Sequence, residues 1–301
     1  MIRETTYVAD PAARRLAGAS NKILGVFTYE PAFPSQSQDF YAPLLTGIEA
    51  QAERIGCDLL MFTSAPVTDG RRRIFHENNR LPLADGCLLL GLEMDDDELA
   101  RLAAGDFPFV AIGRRDVADV PYVGADYATG TAHLVDQALD AGHTRFFLLA
   151  RESSGESVTD RRAGFHGALH GKLVSAETRI TPGDNLQADW EAIKAYRPTV
   201  LFIEYPAHAE ALYELARADG FLVPEDLSMV VLGEPANHTG PDGVDFTRLS
   251  PPRTELGSVA VTLLARIIAS DNDLPADELR TLLDCPTIPG STLTKARRST
   301  Q

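Results

Sequence analysis

The sequence predicts an α/β protein built from two doubly wound parallel-sheet lobes. Three observations carry that prediction. Short apolar, β-branched runs alternate with segments whose apolar residues recur at helical spacing, as in strands buried on both faces between helices. The series occurs twice, once before Gly142 and once after it. The chain has 301 residues, enough for two domains.

Each element has a local reason. Asp10 to Ala17 reads as a short helix, with Asp10 at the N-cap, Pro11 at the first position and Gly18 past the end. Two turns are too short to be stable alone in water, so this helix needs a partner to order it. Lys22 to Thr28 (KILGVFT) is the first strand, and Tyr29 to Asp39 is a Pro/Ser/Gln loop of a length associated with binding. Phe40 to Ile55 is an apolar-striped helix stopped by Gly56, and Cys57 to Phe62 is the second strand. Polar residues from Asp69 to Asn79 read as a helix, and Asp85 to Gly91 as the third strand. Asp95 to Ala104 is a helix with carboxylates at its positive end, followed by strands at Phe107 to Gly113 and Tyr122 to Asp126.

The second series begins after the helix Ala128 to Ala141. It runs strand Arg145 to Ala150, helix Asp160 to His170, short strand Glu177 to Thr181 and helix Leu186 to Tyr196. Strand Thr199 to Glu204, helix Ala207 to Ala218 and strand Leu227 to Gly233 follow. Arg253 to Ser270 is an amphipathic helix, and one last strand is expected near 279–288.

Composition narrows the function. A formal net charge of −15 argues against nucleic-acid binding by the body of the protein. Arg3, Arg14, Arg15 and Lys22 nevertheless cluster at the front, and Lys295, Arg297 and Arg298 close the tail. No apolar stretch reaches the roughly 20 residues of a membrane span, and the front has no signal-peptide core, so a cytoplasmic protein with no membrane partner is expected. Cys57, Cys87 and Cys285 read as buried free thiols. The motifs of dinucleotide binding, phosphate loops, serine hydrolases and zinc proteases are absent, so neither enzyme chemistry, a cofactor nor a metal is expected. His133 and His143 read as structural, His143 at a helix end where a cation is favourable.

Several segments resemble the LacI/GalR family of bacterial transcriptional regulators, and the resemblance covers nearly the whole chain. Tyr7 to Val26 (YVADPAARRLAGASNKILGV) looks like the family's hinge helix and first core strand. Gly142-His143-Thr144-Arg145 resembles the entry to the second lobe, and Arg161-Arg162-Ala163-Gly164-Phe165 matches the family's R-x-x-G-F. Leu222 to Val231 is similar to the family's VPEDVSVVG segment. The family places a helix-turn-helix headpiece before the hinge, and only six residues precede Tyr7, so a core without its headpiece is expected.

What the resemblance implies is specific. It implies a periplasmic-binding-protein-like pair of lobes with an effector cleft between them. The boundaries would be a partial hinge at 1–20, one lobe at 21–141 with 250–271, and the other at 142–249 with 272–301. The arginine of R-x-x-G-F, here Arg161, would bind the effector; the residues alone favour a surface arginine paired with Asp160 or Glu156. Glu234 stands where the family has an aspartate facing the ligand, and Tyr205-Pro206 where it usually has Asn-Asp. The amide contact to a sugar hydroxyl is thereby lost, and Tyr205 would stack on a ring instead. Phe40 and Tyr41 match an aromatic pair that can line the cleft, and core packing is the alternative for both. Trp190 carries no family role and is expected to pack. In the hinge, Leu16 would wedge into the minor groove between base pairs, with Arg14 and Arg15 beside it. The function implied is a homodimeric, ligand-responsive repressor that binds operator DNA and a small polar effector, a sugar or a sugar-like molecule. A transporter's solute-binding protein is the alternative on the same fold.

Overall fold

Runs such as GCLLL at Gly86–Leu90 and VLFI at Val200–Ile203 bury every residue, because both faces of each strand are covered. The computed structural model describes residues 21–30, 38–68, 70–77, 79–235 and 243–297. Arg14, Arg15 and Leu16, with the rest of the expected hinge, lie outside the described residues, as do 31–37 and Arg298.

In chain order the first elements are β1 (Ile23–Thr28), α1 (Gln38–Ile55), β2 (Asp58–Phe62), β3 (Val67–Thr68) and β4 (Arg71–Arg72). β5 (Gly86–Leu90), α2 (Asp96–Ala103), β6 (Phe109–Ile112) and β7 (Tyr122–Asp126) follow. Next come α3 (Tyr127–Asp140), β8 (Arg145–Arg151), α4 (Glu156–Leu169), β9 (Ser175–Thr181) and α5 (Leu186–Tyr196). The chain continues through β10 (Val200–Ile203), α6 (Ala209–Ala218), β11 (Ser228–Val231) and β12 (Thr247–Leu249). It closes with α7 (Arg253–Ala269), β13 (Arg280–Asp284) and β14 (Thr287–Ile288).

Two units emerge. One takes the described residues up to Gly124 together with Arg253–Thr281, and the other takes Ala125–Pro252 and the residues from Leu282 onward. The first sheet runs β13-β7-β6-β5-β1-β2 and the second β14-β12-β11-β10-β8-β9. Between β2 and β7, and between β9 and β12, neighbouring strands pair in parallel. Each sheet therefore has its first strand between its second and third, and the winding direction reverses there. The crevice outside the carboxyl ends at such a reversal is where ligands bind open α/β sheets. In the second unit that point lies between β8 and β10.

The first unit closes on a helix pair. A Cβ on Gly47 would come within 1.8 Å of the Thr254 carbonyl oxygen, and one on Gly257 within 2.3 Å of the Leu44 carbonyl, so α1 and α7 meet backbone to backbone. The second unit repeats the device with α3 and α4, where a Cβ on Gly164 would lie 2.2 Å from the Ala128 carbonyl oxygen. That contact assigns α3 to the second unit, whereas the sequence reading placed 128–141 in the first.

Other expectations are corrected. The described residues of the helix expected over 69–79 are not helical: β3 and β4 form a small antiparallel pair, and Gly70 beside them has a φ of +78°. Tertiary contacts override the local preference there. The Arg72 guanidinium donates to the Thr28 carbonyl, the Thr28 hydroxyl and the Glu30 carbonyl, while Glu98 accepts from the Ile74 and Phe75 N–H groups. The single strand expected near 279–288 is two strands in different sheets, separated at Cys285-Pro286, where proline offers no ladder donor. Residues 272–281 accordingly sit with the first unit. β12 had no sequence signal strong enough to read. Cys87 and Cys285 are buried thiols as expected, but Cys57 is only half-buried. His143 is buried, and burial lowers its pKa, so it is held neutral with Nε2 2.9 Å from the Thr294 carbonyl oxygen. It is structural, as read, but not a helix-end cation.

Two glycines on one helix provide a test of the α3–α4 contact. Gly164→Ala should destabilise the protein by about 1–3 kcal/mol through overpacking. Gly167→Ala, where nothing lies within 4 Å of the added Cβ, should stabilise it by about 0.5–1 kcal/mol. Urea midpoints of the two variants report both effects, and equal midpoints would rule out the close approach.

Candidate functional site

The carboxyl end of β8 carries Arg151, and the carboxyl end of β10 leads into Glu204-Tyr205-Pro206. Apolar runs drive both strands inward, and the first charged residue after each is left at the sheet end. Glu204 remains 3 % exposed there. Its Oε2 accepts the Arg151 backbone N–H at 2.7 Å and lies 3.8 Å from the Arg162 guanidinium. Arg162 also donates to the Arg151 carbonyl, so both polar groups of that residue's backbone are engaged by one ion pair. Glu204 Oε1 is buried without a hydrogen-bond partner.

Arg161 arrives from α4 by way of the R-x-x-G-F spacing. Gly164 lets α4 pack onto α3, and the residue three earlier then stacks its guanidinium 3.9 Å from the centroid of the Tyr127 ring. Arg161 also donates to the Ser157 carbonyl at 3.1 Å, and its Nε is buried and unpartnered. The Arg151 guanidinium lies 5.1 Å from the Tyr205 ring centroid. Tyr205 is 37 % exposed, so part of this aromatic side chain is open to solvent beside the Arg151 guanidinium. Its edge contact with His208, at 4.7 Å between centroids, fixes the ring. The turn itself depends on Gly233, where a Cβ would come within 2.8 Å of Pro206.

Burial pushes the Glu204 carboxyl above its ordinary pKa, while Arg161, the Arg151 N–H and Arg162 pull it back down. His208 is pushed the other way by burial and stays neutral more readily than a free histidine.

The remaining sequence-predicted residues fall elsewhere in their units. Glu234 follows β11, but its carboxylate is held 3.2 Å from the Arg248 Nε, and Arg248 also bonds Asp245 at 2.8 Å. In the first unit Tyr41 is 1 % exposed and donates its hydroxyl to Glu30, which makes it a core residue with a committed polar end. Phe40 is half-buried, edge-on to Tyr41, with the Arg253 guanidinium 5.5 Å from its centroid. Trp190 packs in the core and donates its Nε1–H to Asp219 at 2.8 Å. The acidic run at Asp95 caps α2 as read, though Glu98 turns inward. Sequence reasoning missed Arg151, Arg162, Glu204 and Arg248. For Arg151 and Glu204 the available signal was a charged residue at the end of an apolar strand run; Arg162, within α4, and Arg248, within β12, had no such mark.

Glu204 yields a signed test. A carboxyl whose folded pKa is raised favours folding when protonated, so its stabilisation is complete below the ordinary value of about 4.3 and declines as pH rises through the raised one. Glu204→Gln should flatten that decline, and Glu204→Ala should cost about 1–3 kcal/mol by leaving the Arg151 N–H without its acceptor and Arg162 without its anion. Urea midpoints across about pH 4 to 8 read both; parallel wild-type and Glu204→Gln profiles would show that Glu204 does not titrate there.

Comparisons with known proteins agree with this architecture. Residues 32–196 match the family described as periplasmic binding proteins and sugar binding domain of LacI family, and residues 135–293 match a periplasmic binding protein-like domain. The HTH-type transcriptional repressor PurR of Photobacterium profundum is 23% identical over 90% of this chain and 82% of its own length. The ribose operon repressor of Haemophilus influenzae is 23% identical over 95% of this chain and 85% of its own. A regulatory protein of LacI family from Chloroflexus aggregans superposes with a TM-score of 0.77 at 21% identity, over 90% of this chain and 98% of that one. Two family matches that each span more than half of the chain, together with twin parallel sheets of one strand order, place this protein in the LacI family of transcriptional regulators.

Proposed function

We propose that the chain is the effector-responsive core of a cytoplasmic, homodimeric transcriptional repressor. Its effector is a small polar metabolite, a sugar or a sugar-like molecule, and its DNA end is the basic hinge bearing Arg14, Arg15 and Leu16. The observation that carries the effector reading is the arrangement at the winding reversal of the second sheet. Arg161 from α4, Arg151 from β8 and Glu204 after β10 meet where an open α/β sheet binds its ligand. Tyr205 adds an exposed aromatic face there, suited to stacking on a ring. Membership of the family supports the regulator reading, and both named relatives are repressors. No described helix is long and apolar enough to cross a membrane. Among the described residues, no group of His, Cys, Asp and Glu is placed to hold a metal ion.

Glu234 and Phe40 enter the proposal with narrower roles. With its carboxylate on Arg248, Glu234 contacts a ligand only by sharing that oxygen or exchanging partners. Phe40 offers an apolar face and no hydrogen bond, and Tyr41 contributes through packing.

A thermal-shift panel of sugars, polyols, nucleosides, nucleobases and amino acids tests the effector reading. A ligand at 100 times its dissociation constant stabilises by about 2.7 kcal/mol. Arg161→Ala should weaken the active compound by about 10- to 100-fold, the loss of a charge-assisted hydrogen bond. A panel without any hit, or unchanged affinity in Arg161→Ala, counts against the assignment. Light scattering should return the mass of two chains; a monomer at micromolar concentration would sink the dimer. Selection of duplex DNA by the full-length protein should enrich a two-fold symmetric site whose capture responds to that compound.

A further inference from the structure

We propose that the effector carries an oxyanion, a phosphate or a carboxylate group, held by the guanidiniums of Arg151, Arg161 and Arg162 at the ends of β8 and α4. This deepens the effector reading above and rests on it. Only Arg161 is the arginine of the family motif; Arg151 and Arg162 join it through the fold.

The donor and acceptor inventory carries the inference. Three guanidiniums, each with five N–H donors and a permanent charge, act on the Glu204 carboxylate, with Arg162 3.8 Å from it. One oxygen of that carboxylate already accepts the Arg151 N–H. The other partners of the cations are neutral: the Ser157 carbonyl and the Tyr127 ring for Arg161, the Tyr205 ring for Arg151, and the Arg151 carbonyl for Arg162. The Nε groups of Arg161 and Arg162 are buried with no acceptor. The cluster is rich in donors and poor in acceptors. A neutral sugar offers hydroxyls that need acceptors as much as donors, whereas an oxyanion offers acceptors alone and cancels the surplus charge.

Neighbouring charged groups in the same unit show the contrast. Asp189, 2 % exposed, is matched by Arg179 at 2.6 Å and the Thr181 hydroxyl at 2.7 Å. Arg248 is matched by Glu234 and Asp245. His208, beside Arg151, is kept neutral by burial and supplies no anion. At the Arg151–Arg161–Arg162 group three guanidiniums act on one Glu204 carboxylate, so their charge exceeds that of the anion they share.

The test uses the intact protein with inorganic phosphate and with acetate, each titrated against chloride at equal ionic strength. One anion should bind saturably, read by thermal shift and, for phosphate, by ³¹P line broadening. The stronger response assigns the group as phosphate or carboxylate. Arg151→Gln should weaken it at least tenfold, and Arg161→Gln, an independent variant if the first misfolds, should do the same. Far-UV circular dichroism and urea midpoints confirm that each variant is folded. No saturable response to either anion beyond chloride overturns the proposal, as does affinity unchanged in both variants. Matched pairs such as glucose and glucose 6-phosphate separate the two readings. If the neutral member stabilises as well as its charged partner, the oxyanion claim fails and the effector reading survives. If a whole panel of charged and neutral compounds fails, the effector reading fails with it.

Discussion

A carboxylate buried at the end of a parallel strand is the constraint around which the second unit's chemistry is arranged. Glu204 reaches back from β10 to the last residue of β8, and Arg162 closes the same residue from the other side. Burying a charge is costly unless it is paired and hydrogen-bonded. The pairing found here does both for one oxygen and leaves the other open. The ends of two central strands are therefore held in register, and an unspent polar valence stays at the point where the sheet reverses its winding.

The two units share a strand order but use their arginines differently. In the first, the guanidiniums of Arg72 and Arg115 donate to backbone carbonyls at Thr28, Glu30, Gly91 and Ile112, bracing strand ends and the loops that follow them. Both are nearly buried, and their role is structural. In the second, Arg151 and Arg161 lie against aromatic faces and remain half-exposed. A cation over a ring keeps most of its hydrogen-bonding capacity, because the π face engages its charge and not its N–H groups. At these positions one unit braces its backbone with cations, and the other holds them against rings.

Part of the candidate site was legible before any fold was known. Arg161 stood out because R-x-x-G-F joins a cation to a glycine, and Gly164 proves to be the residue that lets α4 touch α3. Glu234 and Tyr205 were placed at the right strand ends, but their partners were not. Arg248 lies on β12, a three-residue strand whose polar sequence has no apolar run to mark it. Glu204 read only as the end of a strand, and its importance comes from Arg151 and Arg162, 53 and 42 residues earlier in the chain.

By itself the sequence determined the fold class and the place of most elements. Continuous apolar runs demand two covered faces, and helices capped by Asp95, Asp126 and Asn185 start where their side chains satisfy the first free N–H groups. These are short-range requirements, so they are written in neighbouring residues. Tertiary structure alone decided that the described residues of 69–79 are not helical, that α3 belongs with the second unit, and that 279–288 divides between two sheets. It also decided which arginines meet a carboxylate and which meet a carbonyl. Those outcomes depend on hydrogen bonds and close approaches between residues far apart in the chain, and no local spacing encodes such a distance.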